Sequence, residues 1–177
     1  VLRSELHRQR GAYGKAIAEL AAALRAEELS GRGATGAMYA EEHLAWLLAT
    51  CAEARIRDGT RSLRLARSFC RRVGVLRGVG IDMNTLLESE PDEFTVAWVN
   101  NAWTNWRPLD VLAAAFAECG RFEEAVQAAT KAIEAATTGP IKRELAARLA
   151  LYKDRQAYRA PADRPFRPRF WTVGPLP

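Results

Sequence analysis

Two histidines, three cysteines and an arginine-rich run are the residues of this chain whose chemistry could exceed packing. His7 and His43 have no Cys or Asp beside them at ligand spacing, so neither reads as part of a zinc site. Cys51, Cys70 and Cys119 are odd in number, and none forms a Cys-x-x-Cys pair. Sitting near small or apolar residues, they read as reduced thiols in helix packing, which weakly favours a reducing compartment. Glu41-Glu42-His43 is a short charged run at the start of a helix and reads as solvated surface. Gly31-Arg-Gly33-Ala-Thr-Gly36 lacks both the preceding strand and the closing Gly-Lys-Ser/Thr of a phosphate loop, so it reads as a connection. The inventory thus points to no catalytic residue, no metal and no cofactor, and the expectation is a protein that is not an enzyme.

Charge supplies a second chemistry. Residues 55–77 hold eight arginines and one acid, Asp58, whereas residues 82–93 hold five acids and no base. Residues 153–169 are basic again, so the net charge of +5 is unevenly spread. On the helix expected over the first run, Arg61, Arg64 and Arg71 lie away from the apolar stripe of Leu63, Ala66, Phe69, Cys70 and Val73. This basic face reads as solvated, folded against the acidic segment. The alternative is a surface for an anionic partner, either nucleic-acid backbone or acidic protein. A regular set of aromatics for stacking bases is missing.

The elements that would carry these residues are helical hairpins. In Leu109 to Ala136, apolar residues at Leu109, Leu112, Ala113, Phe116 and Ala117 recur at helical spacing. Gly120 follows, where a helix can end in a left-handed conformation without steric penalty. A second stripe runs through Phe122, Ala125, Val126, Ala129, Ala132 and Ile133. Gly11-Ala-Tyr13-Gly-Lys-Ala16 matches Gly120-Arg-Phe122-Glu-Glu-Ala125 as Gly-x-aromatic-x-x-Ala. A looser copy has Leu44 to Leu48, a turn through Asp58-Gly59, then Leu63, Ala66, Phe69 and Cys70. One hairpin repeated along a chain is the mark of a solenoid, whose units bury their apolar faces on one another.

Between the second and third hairpins lies an insert, about 74–105. Ser89-Glu-Pro91 has the look of a helix start, and a helix from Pro91 to Trp103 is expected there. Trp98, Trp103 and Trp106 read as a core filling the gap, or as partner anchors. Ile141 to Gln156 reads as a capping helix with Leu145, Leu149 and Tyr152 on one stripe. The domain reading is therefore a helical array over 1–160 and a Pro/Arg/aromatic tail over 161–177. Prolines forbid a helix in the tail. Phe166, Phe170 and Trp171 would anchor it on this array or on a neighbouring chain.

The phrases LAWLLATC (44–51), RDG (57–59), LDVLAAAFAECGRFEEAV (109–126) and ARLALYKDRQAYR (147–159), with the 11–24 hairpin, resemble the tetratricopeptide repeat (TPR) family. Within it they are most similar to bacterial proteins of the planctomycete type. The resemblance implies an all-α array of about three TPR-like hairpins, an α-solenoid, with an inserted helical element, a capping helix and an extended tail. It implies a concave face for partner binding built from first-helix residues: Glu5, Arg8 and Gln9; Tyr39, Glu42, Trp46 and Thr50; Arg107, Asp110, Ala114 and Glu118. The lysine and asparagine clamp with which TPR co-chaperones hold acidic chain ends is replaced by Val1, Glu5, Glu42, Trp46, Asp110 and Ala114. Acidic chain ends are therefore not the expected ligands.

The function expected is a protein-binding scaffold or complex subunit. Its rivals are a nucleic-acid-binding array using the 55–77 arginines, or a docking module of a larger enzyme such as a kinase. A start already inside a helix reads as part of a longer protein. No window approaches the run of roughly 18 apolar residues that a membrane span needs, so no membrane insertion is expected.

Overall fold

The computed structural model describes residues 4, 7–8, 10–30, 34–73 and 106–161, the side chains of 27–30, 34–36 and 71–73 excepted. Among the described residues the chain is all-helical, with no strand. The helices are α1 (Tyr13–Ser30), α2 (Ala34–Thr50), α3 (Gly59–Val73), α4 (Trp106–Glu118), α5 (Phe122–Ala135) and α6 (Gly139–Lys153), with a 3-10 turn at Ala54–Ile56. None is long and apolar enough to cross a membrane. The insert helix expected over 91–103, with Trp98 and Trp103, lies outside the described residues, as do the tail anchors Phe166, Phe170 and Trp171.

Each helix packs on its neighbours in sequence, and α2 also packs along α4. The turns explain this order. Gly11 (φ +68°) and Gly120 (φ +74°) are left-handed, each two residues before a helix begins. The Gly11 N–H donates to the Arg8 carbonyl and the Ala12 N–H to that of His7. The Gly120 N–H donates to Ala117 and the Arg121 N–H to Phe116. Both turns therefore close the preceding helix with the same paired bonds, three and five residues back, that a left-handed residue makes possible. At the α2–α3 turn, the Asp58 carboxylate accepts the Arg61 N–H at 2.9 Å and caps α3.

Helix α3 buries the expected apolar stripe, and of the expected basic face Arg64 alone is shown exposed. Leu63, Ala66, Phe69 and Cys70 are buried, while Arg64 is exposed and Arg61 half-buried; the Arg71 side chain lies outside the described residues. In α5 the buried stripe is wholly alanine, at 125, 128, 129 and 132. Such small side chains let α4 and α6 approach closely on either side. Gly59 plays the same part between α3 and α4. A Cβ there would sit 3.0 Å from Cys119 Sγ and 3.1 Å from the Glu118 backbone.

Helix α2 departs from the sequence expectation. Glu41, Glu42 and His43 are buried, not solvated. The reason is position: α1, α3 and α4 all pack on α2, leaving it no water-facing side over residues 40–50. Each residue finds a polar partner inside the protein, and Glu42 a counter-charge. Ser68 Oγ donates to Glu41 at 2.6 Å, Arg107 Nε to Glu42 at 2.7 Å, and His43 Nδ1 lies 2.7 Å from the Tyr39 carbonyl.

Candidate partner-binding face

Of the residues expected on a binding face, Glu42, Trp46, Arg107 and Asp110 come together where α2 packs on α4, and α6 adds Arg148. Trp46 of α2 lies at the centre. The Arg107 guanidinium sits 4.5 Å from its ring centre, and that of Arg148 sits 5.7 Å away. Tyr158, beyond α6, brings its ring to 5.9 Å from Trp46 at a tilt of 46°, with Arg148 over it at 5.4 Å. Cations over aromatic faces gain from the ring quadrupole, most of all where water is excluded.

Charge along this face is balanced. Arg107 Nε donates to Glu42, and Arg107 Nη1 lies 3.2 Å from Asp110 Oδ2. Arg148 Nε and Nη2 donate to the two oxygens of Asp110 at 2.8 and 3.0 Å. The run Glu42, Arg107, Asp110, Arg148 thus alternates in sign across three helices. Burial alone would lower the Arg148 guanidinium, but Asp110 offsets this by charge and hydrogen bonding, and its pKa stands above the ordinary value. Desolvation is tolerable because each charge has a partner, and Arg148 meets Asp110 in fork geometry.

A second cluster closes the end of α2. Arg57 Nε donates to Glu118 Oε1 at 3.0 Å, and its Nη1 donates to the carbonyls of Cys51 and Ala52. Arg159 Nη1 lies 2.6 Å from Glu118 Oε2 as an ion pair, off the line of a hydrogen bond. It donates to the Ala49 carbonyl at 3.1 Å. The Ala160 N–H donates to the Thr50 carbonyl at 2.8 Å. The last turn of a helix leaves carbonyls unsatisfied and carries partial negative charge. The segment after α6 supplies α2 with both an N–H and a cation.

The expected face residues are therefore placed as follows. Trp46, Glu42, Thr50 and Asp110 are buried; Tyr39, Arg107 and Glu118 are half-buried. Arg8 is half-buried near the first turn, close enough for its charge to act on Tyr13 and Cys51, and Glu5 and Gln9 lie outside the described residues. What holds the face is the chain itself. Arg148, Tyr158, Arg159 and Arg57 complete it, and sequence reasoning did not single them out. A signal existed for Arg148. It stands on the stripe Ile141, Leu145, Arg148, Tyr152, where a charge implies a buried partner.

The other chemistry-bearing groups are quiet. Burial pushes the thiols of Cys51, Cys70 and Cys119 above their ordinary value, so they stay protonated. All three are free, and Cys70 Sγ donates to the Pro108 carbonyl at 3.4 Å. Among the described residues no group of three or more His, Cys, Asp or Glu could hold a metal ion. Comparison with known proteins finds no matching family model, no matching curated protein and no matching solved structure.

Proposed function

We propose that this chain is a non-catalytic protein-binding module built from TPR-like helical hairpins. The observation that carries the reading is the repeated helix ending. Gly11, Gly120 and a third residue, Arg155 (φ 55°), each close a helix by the same pair of bonds; here the Arg155 N–H donates to Tyr152 and the Gln156 N–H to Leu151. Three such endings, with α2 alongside α4, support a periodic stack in which α6 is the first helix of a further unit. Such stacks present side chains from alternate helices on one continuous face, the arrangement suited to grasping another chain. The mixed, internally balanced charge of that face fits a polypeptide better than a phosphate backbone, whose binding rests on unpaired cations.

The test is site-specific photo-crosslinking in the source cell. A photoreactive residue is placed at exposed Arg155, in the turn that leads residues 158–160 onto the face, and at exposed Thr130 on α5 and Arg64 on α3 as controls. A defined protein adduct from position 155, absent from position 130, is expected. RNA or DNA adducts from position 64 would favour the nucleic-acid reading instead, and no adduct at any position would remove both.

A further inference from the structure

We propose that residues 156–161 are a tethered occupant of the partner-binding face, and that this face receives an extended segment carrying an aromatic residue followed by arginine. The inference rests on the reading of the chain as a binding module and names the kind of ligand.

The contacts of the segment are those of a bound peptide. It has no helix or strand of its own. Its anchors come from successive residues and engage different features of the face. Tyr158 lies against Trp46 and under Arg148. Arg159 meets Glu118 and the Ala49 carbonyl. The Ala160 N–H takes the Thr50 carbonyl, a backbone contact open to any residue except proline. A ring slot, a carboxylate and free helix-end carbonyls form a recognition site for aromatic–Arg–x in extended form.

The geometry also shows how the occupant is delivered. Arg155 ends α6 in a left-handed conformation, turning the chain back so that residues 158–160 reach the end of α2. Ala157 and Tyr158 of the segment pack, partly buried, against the main core, and no helix or strand holds the segment in place. A tethered occupant acts at an effective concentration on the order of millimolar. A free competitor then sees its affinity reduced by the closed fraction. The partner this fits carries the same aromatic–Arg chemistry and displaces the segment.

The test uses the whole chain and a labelled synthetic peptide spanning Asp154 to Pro161. Two variants empty the site by different routes: Tyr158→Ala with Arg159→Ala, which removes the anchors, and Ala160→Pro, which removes the N–H, fixes φ at residue 160 and restricts the backbone of Arg159. Both should keep the far-UV circular dichroism of the wild type. The peptide should bind each variant saturably and bind the wild type at least about tenfold more weakly. A peptide with Arg159→Ala should bind neither. If the variants stay helical and take up no peptide, the face is not a receptor and the proposal falls. Equal binding to wild type and variants overturns the occlusion. Loss of helix in both variants makes the segment a structural brace and overturns it too. Failure here leaves the crosslink from position 155 unaffected, so the two readings are separately tested.

Discussion

Arg148 on α6 grips Asp110 on α4 with two parallel hydrogen bonds, at 2.8 and 3.0 Å, and both side chains are almost fully buried. The pair ties the sixth helix to the fourth across the face where Trp46 and Tyr158 meet. It is also the point at which Arg107 joins the ladder, so Asp110 answers two guanidinium groups.

Asp110→Ala should accordingly destabilise the protein by about 3–5 kcal/mol, because buried Arg148 loses its counter-charge and Arg107 keeps only Glu42. Arg148→Met leaves a smaller deficit, since Arg107 still faces Asp110. In the double variant the losses should be less than additive, the sign of a direct coupling. Urea unfolding measures all three. A single Asp110→Ala within about 0.5 kcal/mol of wild type would mean the ladder is not closed in solution.

How far the sequence discloses these features depends on whether the signal is local. The hairpin ends at Gly11 and Gly120 were legible because a left-handed helix end selects glycine, and the aromatic and alanine that follow repeat at fixed offsets. The buried stripe of α3 was legible because Leu63, Ala66, Phe69 and Cys70 recur at helical spacing. Glu41, Glu42 and His43 misled because burial there depends on three other helices, and local periodicity cannot see them. The closing of the face by Tyr158 and Arg159 was hidden for a similar reason. Those residues meet Trp46, Ala49 and Glu118 from far along the chain, and each alone reads as ordinary surface.

Ala125 is fully buried at the α5 crossing, in the position that Ala16 occupies in α1. Ala125→Leu should cost about 1–3 kcal/mol by overpacking. Unchanged thermal unfolding in this variant would refute the close crossing.

Gly59 and Gly14 make a matched pair of opposite sign. Both lie in helices, where alanine is ordinarily preferred. At Gly14 an added Cβ meets nothing within 4 Å, so Gly14→Ala should stabilise by up to about 1 kcal/mol. At Gly59 the contacts at 3.0–3.1 Å include the Glu118 backbone, which cannot give way as a side chain can. Gly59→Ala should therefore destabilise by about 1–3 kcal/mol despite its better helix propensity. Two shifts of the same sign would contradict the close approach of α3 to α4.

Arg155 holds a conformation that costs a residue with a Cβ about 1–2 kcal/mol. Its guanidinium sits 5.5 Å from the Phe122 ring, an exposed contact worth about 0.5–1 kcal/mol. Arg155→Gly relieves the first and loses the second, whereas Arg155→Ala loses the second only. The glycine variant should thus melt higher than the alanine variant, by an amount equivalent to about 1 kcal/mol. Equal melting temperatures would show that the turn after α6 is not left-handed in solution.

Glu124 gives a pH dependence whose direction is fixed. Arg121 donates to it through Nε at 2.8 Å and Nη2 at 2.6 Å, and it lies in the first turn of α5, near the positive helix end. The Arg121 hydrogen bond holds its pKa below the ordinary 4.5, against a smaller desolvation effect. A depressed carboxylate contributes stability above its unfolded pKa and loses that contribution as pH falls through its folded pKa. The side chain is partly exposed, so the effect is small. The comparison is the melting temperature of wild type against Glu124→Gln. Wild type should melt higher at about pH 7, and the gap should narrow as pH falls below the ordinary carboxylate range and through the depressed pKa of Glu124. A gap that persists or widens in acid would mean that Glu124 acts through packing, and that its charge has no part in securing the start of α5.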